Sequence, residues 1–213
     1  MAKIMNWHFF QKKIKEKNML IFTRHDVERI FNISPVALSF FVFRNTRKGL
    51  LIRLKKSRKG SLYCLADEIP NQYLIANKLY EPSYISFDAA LSFHNIIPES
   101  VYTVSCATTK PTREFIVTDI KFVYYRIKRS VYTGYNPTKY QNTTILMASP
   151  EKALTDYLYF VALRKRSLHY ERLDLKRIKK RKLLRLAKLY DKPIMLHLID
   201  DIYANYRKFK RIH

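Results

Sequence analysis

The chain has 213 residues, 47% of them hydrophobic, so it is long enough to bury one or two cores. Lys and Arg number 41 against 17 Asp and Glu, a formal charge of +24 that folding does not require; nucleic acid is the first partner this implies and an anionic membrane surface the second. The only glycines, Gly49, Gly60 and Gly134, exclude a glycine-rich phosphate loop, and no apolar run reaches the length of a membrane span.

The N-terminus is charged and broken by Asn6 and Gln11, so it does not read as a signal peptide. Asn6 is placed to cap a helix through Lys17, with Trp7, Phe10 and Ile14 on one face. Leu20 to Phe22 is short and extended. Thr23 caps the next helix, with Asp26 at its third position, the arrangement of a capping box. Ser34-Pro35 starts a third helix that Gly49 ends. Leu50 to Lys55 and Ser61 to Ala66 read as two strands around a basic turn.

Three helices followed by a basic-tipped hairpin is the order of a winged helix–turn–helix, in which the third helix enters the major groove and the hairpin touches phosphate. The DNA-contacting set is then Ser34 at the start of the third helix, Arg44, Arg47 and Lys48 at its far end, and Lys55, Lys56, Arg58 and Lys59 in the wing. One feature conflicts with a simple surface helix. Leu38, Phe41 and Val42 form one apolar strip, and Val36, Phe40 and Phe43 form another almost opposite. Such a helix is normally buried on two sides, so the first helix or a partner subunit is expected to cover the second strip. A winged helix used only for protein contact remains the plainer alternative.

Asn71 to Glu99 carries explicit local signals. Pro70 opens a helix, Pro82 stops it, Ser86 caps a second one with Asp88 in its first turn, and Asn95 supplies a left-handed exit. The expected result is two short helices joined by a tight corner, plainly a packing unit. Further on, Val101 to Ala107, Glu114 to Thr118, Phe122 to Ile127 and Thr144 to Ala148 read as strands, with Asp119 in a hairpin turn and Gly134 to Asn142 as an irregular loop. Ser149-Pro150-Glu151 starts a helix with cap, proline and acid.

Three of these blocks, YLIANKL, PSYISFDAALSFHNIIPE and SPEKALTDYLYF, the last at Ser149 to Phe160, resemble the AbiE-type antitoxins, which are also transcriptional regulators. The likeness spans most of Phe22 to Phe160. It implies a two-gene toxin–antitoxin operon, autorepression by the N-terminal domain, and antitoxicity from the C-terminal domain. The antagonist would be a nucleotidyltransferase-like toxin, countered directly or functionally.

Arg164 to Lys192 is the most basic stretch, with leucines at roughly helical spacing. It is either a second DNA-contacting surface or a solvated helix face. Met195, Leu198, Ile202, Tyr206 and Phe209 then repeat at threes and fours, the mark of a last amphipathic helix.

The six histidines and two cysteines show no metal-ligand spacing, and His94 reads as a packed or capping residue. Cys64 and Cys106 read as buried free thiols of a cytoplasmic protein, a single disulfide being the alternative. Asp119-Ile-Lys121, with Asp88 or Glu114, resembles half of a metal-dependent nuclease site, but a lone triplet of this kind is common by chance. Glu151 and Asp156 are accounted for by the helix dipole and the helix surface.

The sequence thus leads to an α+β protein. A winged helix–turn–helix over residues 1–68 precedes an α+β antitoxin-like domain over 69–213, which has a small, mostly antiparallel sheet and basic C-terminal helices. The expected function is a non-enzymatic, cofactor-free DNA-binding antitoxin and autorepressor. Operator DNA and a cognate toxin are its partners, a membrane is not, and a homodimer is open to it. A metal-dependent nuclease with a winged-helix targeting domain, or a transcription factor without a toxin, is the rival.

Overall fold

The computed structural model describes residues 5–57, 60–169 and 173–212, with side chains through Tyr206. The protein is mixed α+β. It divides into two compact units, Met1–Leu79 and Tyr80–His213. The division falls after the Asn71-to-Leu79 segment, later than the 68/69 boundary read from the sequence.

The first unit contains α1 (Trp7–Glu16), β1 (Phe22–Thr23), α2 (Arg24–Phe31), α3 (Pro35–Arg47), β2 (Leu51–Lys55), β3 (Leu62–Leu65) and α4 (Gln72–Leu79). Polar side chains set the helix starts. The Asn6 carboxamide accepts from the His8 N–H, and the Ser34 hydroxyl accepts from the Ala37 N–H. Thr23 and Asp26 form a reciprocal capping box. The strands pair antiparallel in the order β1-β3-β2. Phe10, Phe22, Leu38, Phe41, Leu51 and Tyr63 meet in one core, where Phe10 lies 5.1 Å from Phe41 and 5.9 Å from Phe22, ring centre to centre.

The second unit contains β4 (Ser83–Ile85), α5 (Phe87–Phe93), β5 (Val104–Thr108), β6 (Arg113–Val117), β7 (Ile120–Arg126), β8 (Tyr135–Tyr140), β9 (Thr143–Ala148), α6 (Pro150–Ala162), α7 (Lys180–Lys188) and α8 (Ile194–Ile212). Its six strands run β6-β7-β5-β4-β9-β8. The β4/β9 and β5/β7 pairs are parallel and the other three antiparallel, so the sheet is larger and more mixed than expected. Helix α6 packs against α5, α7 and α8.

Two strands depart from the sequence reading. The corner between Pro82 and Ser86 is β4, an interior strand flanked by β5 and β9. The supposed loop after Gly134 is β8; its Pro137 is tolerated because β8 is an edge strand, where one face of the backbone has no ladder to complete.

Candidate nucleic-acid interface

Helix α3 buries Leu38, Phe41, Val42 and Asn45 and turns Val36, Phe40, Phe43, Arg44 and Arg47 outward. Helix α1 lies on the buried side, where Trp7 and Phe10 meet Phe41. The second apolar strip is therefore not covered by the first helix: Val36, Phe40 and Phe43 are 66%, 69% and 60% exposed. The Arg47 guanidinium sits over the Phe43 ring at 5.8 Å. At the start of α2, Arg24 donates to the Ser39 hydroxyl at 3.2 Å, placing a cation beside the same face.

No acidic residue occurs from Arg29 to Ala66. Three of the acids around this run have local partners, and Glu28, 3.8 Å from His25, borders it directly. Asp26 is used by the capping box, Glu16 pairs with Lys13, and Asp67 accepts from Lys15 and Gln11. The Lys15 hydrogen bond holds the Asp67 carboxyl below its ordinary range.

The site residues named from the sequence divide by placement. Ser34 is exposed, with its hydroxyl spent on the cap of α3. Arg44, Arg47 and Lys48 are exposed at the end of α3, where cations also suit the negative helix end. Lys56 is exposed. Lys55 is half-buried and its Nζ donates to the Leu79 carbonyl at 2.5 Å, so this ammonium points into its own unit rather than out toward phosphate. Arg58 and Lys59 lie outside the described residues.

Sequence reasoning missed Arg24 and Arg53. With His25, Lys56 and one carboxylate, Glu28, they line an open cleft between the start of α2 and the β2–β3 connection. Strand alternation could not have found Arg53: Leu51 and Leu54 are both buried although three residues apart, and the register shifts between Arg53 and Lys55, so the period of two is broken there.

In the second unit α7 buries Leu183, Leu186 and Ala187 and exposes Arg181, Arg185 and Lys188. Lys180 pairs with Asp200 and Lys182 with Glu151, each within 2.8 Å. Part of the charge of α7 is thus neutralised internally, while Arg181, Arg185 and Lys188 face solvent.

Asp156 is not on a helix surface. Asp156 and Lys152, one helical turn apart on α6, are 0% and 1% exposed and lie 2.8 Å from each other. The Asp156 carboxylate also accepts from the hydroxyls of Tyr84, Ser86 and Tyr190. Lys152 donates to the Val131 carbonyl and to the Tyr190 hydroxyl. Burial lowers the Lys152 pKa and the Asp156 charge opposes that shift. Gly134 makes room for this lysine, because a Cβ there would come within 3.2 Å of the Lys152 side chain. With no solvent access, the network holds strands to helices and offers no surface to a substrate.

The nuclease-like carboxylates do not converge. Asp119 and Thr118 form the turn of the β6–β7 hairpin with positive φ angles of 64° and 47°, Glu114 pairs with Lys121, and Asp88 with Arg166. Among the described residues no group of three His, Cys, Asp or Glu is placed to hold a metal ion. His94 caps the end of α5, its Nε2 2.8 Å from the Ala148 carbonyl, and burial lowers its pKa. Cys64 and Cys106 are free and buried; burial pushes the Cys64 thiol up to about 12 and raises Cys106 as well. No helix among the described residues is long and apolar enough to cross a membrane.

No protein-family model matches this chain, and no curated protein matches it.

Proposed function

We propose that this chain is a DNA-binding antitoxin and autorepressor of the AbiE type, acting in the cytoplasm without catalysis or a cofactor. The first unit is read as a winged helix–turn–helix. The succession α1-β1-α2-α3-β2-β3 and the sheet order β1-β3-β2 support this, with α3 as the groove helix and the β2–β3 connection as the wing. One observation carries the DNA reading. The acid-free run from Arg29 to Ala66 folds as a helix and hairpin that turn Arg44, Arg47, Lys48, Arg53 and Lys56 outward.

The antitoxin half of the proposal rests on the resemblance of the three sequence blocks and on a nucleotidyltransferase-like toxin as antagonist. Asp156 and Lys152 in the third block are fully buried, so that block serves the core of the second unit and leaves the antitoxic surface elsewhere. A gel shift on the DNA upstream of the chain's own reading frame, against random duplex of equal length, tests repression. Co-expression with the adjacent reading frame tests antitoxicity. Preferred binding upstream with rescue of growth is expected. Binding without rescue would reduce the protein to a regulator with no toxin partner, and Mg²⁺- or Mn²⁺-dependent plasmid cleavage abolished by Asp119→Asn would replace the reading with a nuclease.

A further inference from the structure

We infer that the outward strip of α3, Val36, Phe40 and Phe43, reads 5-methyl groups in the DNA major groove, chiefly those of thymine; this rests on the DNA-binding reading above. The three side chains occupy the second, sixth and ninth positions of the helix and share its outward face. Two exposed phenyl rings in register are costly to leave in water and call for a partner. Cations frame them. Arg24 stands beside Ser39, Arg47 lies over Phe43, and Arg44 follows on the next turn. An apolar centre with a cationic rim fits a groove whose walls are phosphate.

The choice of base follows from what the helix lacks. Its N-terminal part is the part that reaches base edges in such motifs. There the outward residues are Pro35, Val36, Ser39 and Phe40, with no Asn, Gln, Asp or Glu for adenine or cytosine. Asn45 is buried, donating to the Phe41 carbonyl. The apolar feature of the major groove is the thymine methyl, which a 5-methylated cytosine reproduces. A second copy of this chain fits less well. Two rings and a valine offer far less than the roughly 800 Å² per partner of a stable interface.

The test uses the full chain and four duplexes of one length. Two alternate A with T or A with deoxyuridine; two alternate C with G, plain or 5-methylated at cytosine. A buried methyl is worth about a fourfold change in affinity, so two methyl contacts predict about fifteenfold weaker binding when deoxyuridine replaces thymidine. Methylating cytosine should strengthen binding by a similar factor. In Val36→Ala/Phe40→Ala both differences should shrink toward unity while residual salt-dependent binding persists. Equal, salt-dependent binding of the thymidine and deoxyuridine duplexes by the wild-type chain would overturn this inference and leave DNA binding intact. Failure to bind any duplex at low salt would overturn the DNA reading itself. Loss of self-association on Phe40→Ala, with the methyl effect unchanged, would assign the strip to a second copy and overturn the inference.

Discussion

Replacing Asp156 with Ala should damage the second unit more than any surface change. The wild-type carboxylate is fully buried and meets Lys152 Nζ at 2.8 Å, Tyr84 Oη at 3.0 Å and Ser86 Oγ at 2.6 Å, with Tyr190 Oη as a further donor. Its removal leaves a buried ammonium with only the Val131 carbonyl and the Tyr190 hydroxyl, and three hydroxyls without their acceptor. Breaking a buried ion pair from one side costs about 3–5 kcal/mol. At about 3–4 °C per kcal/mol for a unit of this size, the melting temperature should fall by roughly 10–20 °C. Removing both charges, as in Lys152→Met/Asp156→Leu, should recover at least half of that loss, because the desolvated charge is then gone. Thermal melts followed by far-UV circular dichroism read both effects. A fall of less than about 3 °C in Asp156→Ala, or a double variant no better than the single, would refute the account of this network.

Other expectations follow from the same contacts. Tyr84, Tyr124, Tyr132 and Tyr190 are raised above their ordinary value of 10.0, and Cys64 and Cys106 above 9.0, chiefly by burial. The folded state therefore keeps protons that the unfolded chain releases, and stability present at neutral pH should be lost as pH rises through 9 and 10. The lowered Lys152 opposes this and is outnumbered. Urea midpoints at increasing pH check it, and a midpoint that holds steady to pH 11 contradicts it. Thr23→Ala removes the capping box of α2 and should cost about 1 kcal/mol of first-unit stability, measured by urea unfolding. Gly134→Ala should destabilise the second unit, since φ is +79° and the added Cβ meets Lys152; a melt indistinguishable from wild type would argue against that packing.

Much of the first unit was legible in its capping chemistry. Asn6, Thr23 with Asp26, and Ser34-Pro35 fixed three helix starts, because a cap is a local bond between residues two or three positions apart. The exposure of Phe40 and Phe43 was not legible, since an apolar position tells of burial in general and not of which neighbour supplies it. Strand β4 was hidden for the opposite reason. Its three residues are too few to show a period, and only the flanking strands β5 and β9 make them a strand. Asp156 was misplaced because a carboxylate on a helix is normally solvated. Its donors Tyr84, Ser86 and Tyr190 come from distant parts of the sequence. Lys55 left the phosphate set on similar grounds, drawn inward by a carbonyl at the end of α4 that sequence spacing could not foresee.

The central claim is that the basic face of the first unit grips duplex DNA, and fluorescence anisotropy of the full chain on its own upstream duplex over a series of salt concentrations tests it most directly. The account predicts binding whose logarithm falls linearly with the logarithm of salt, and a slope that becomes shallower by about one unit for each phosphate contact removed when Arg44, Arg53 and Lys56 are changed to Ala in turn. An unchanged slope in all three variants, or no binding at low salt, would contradict it.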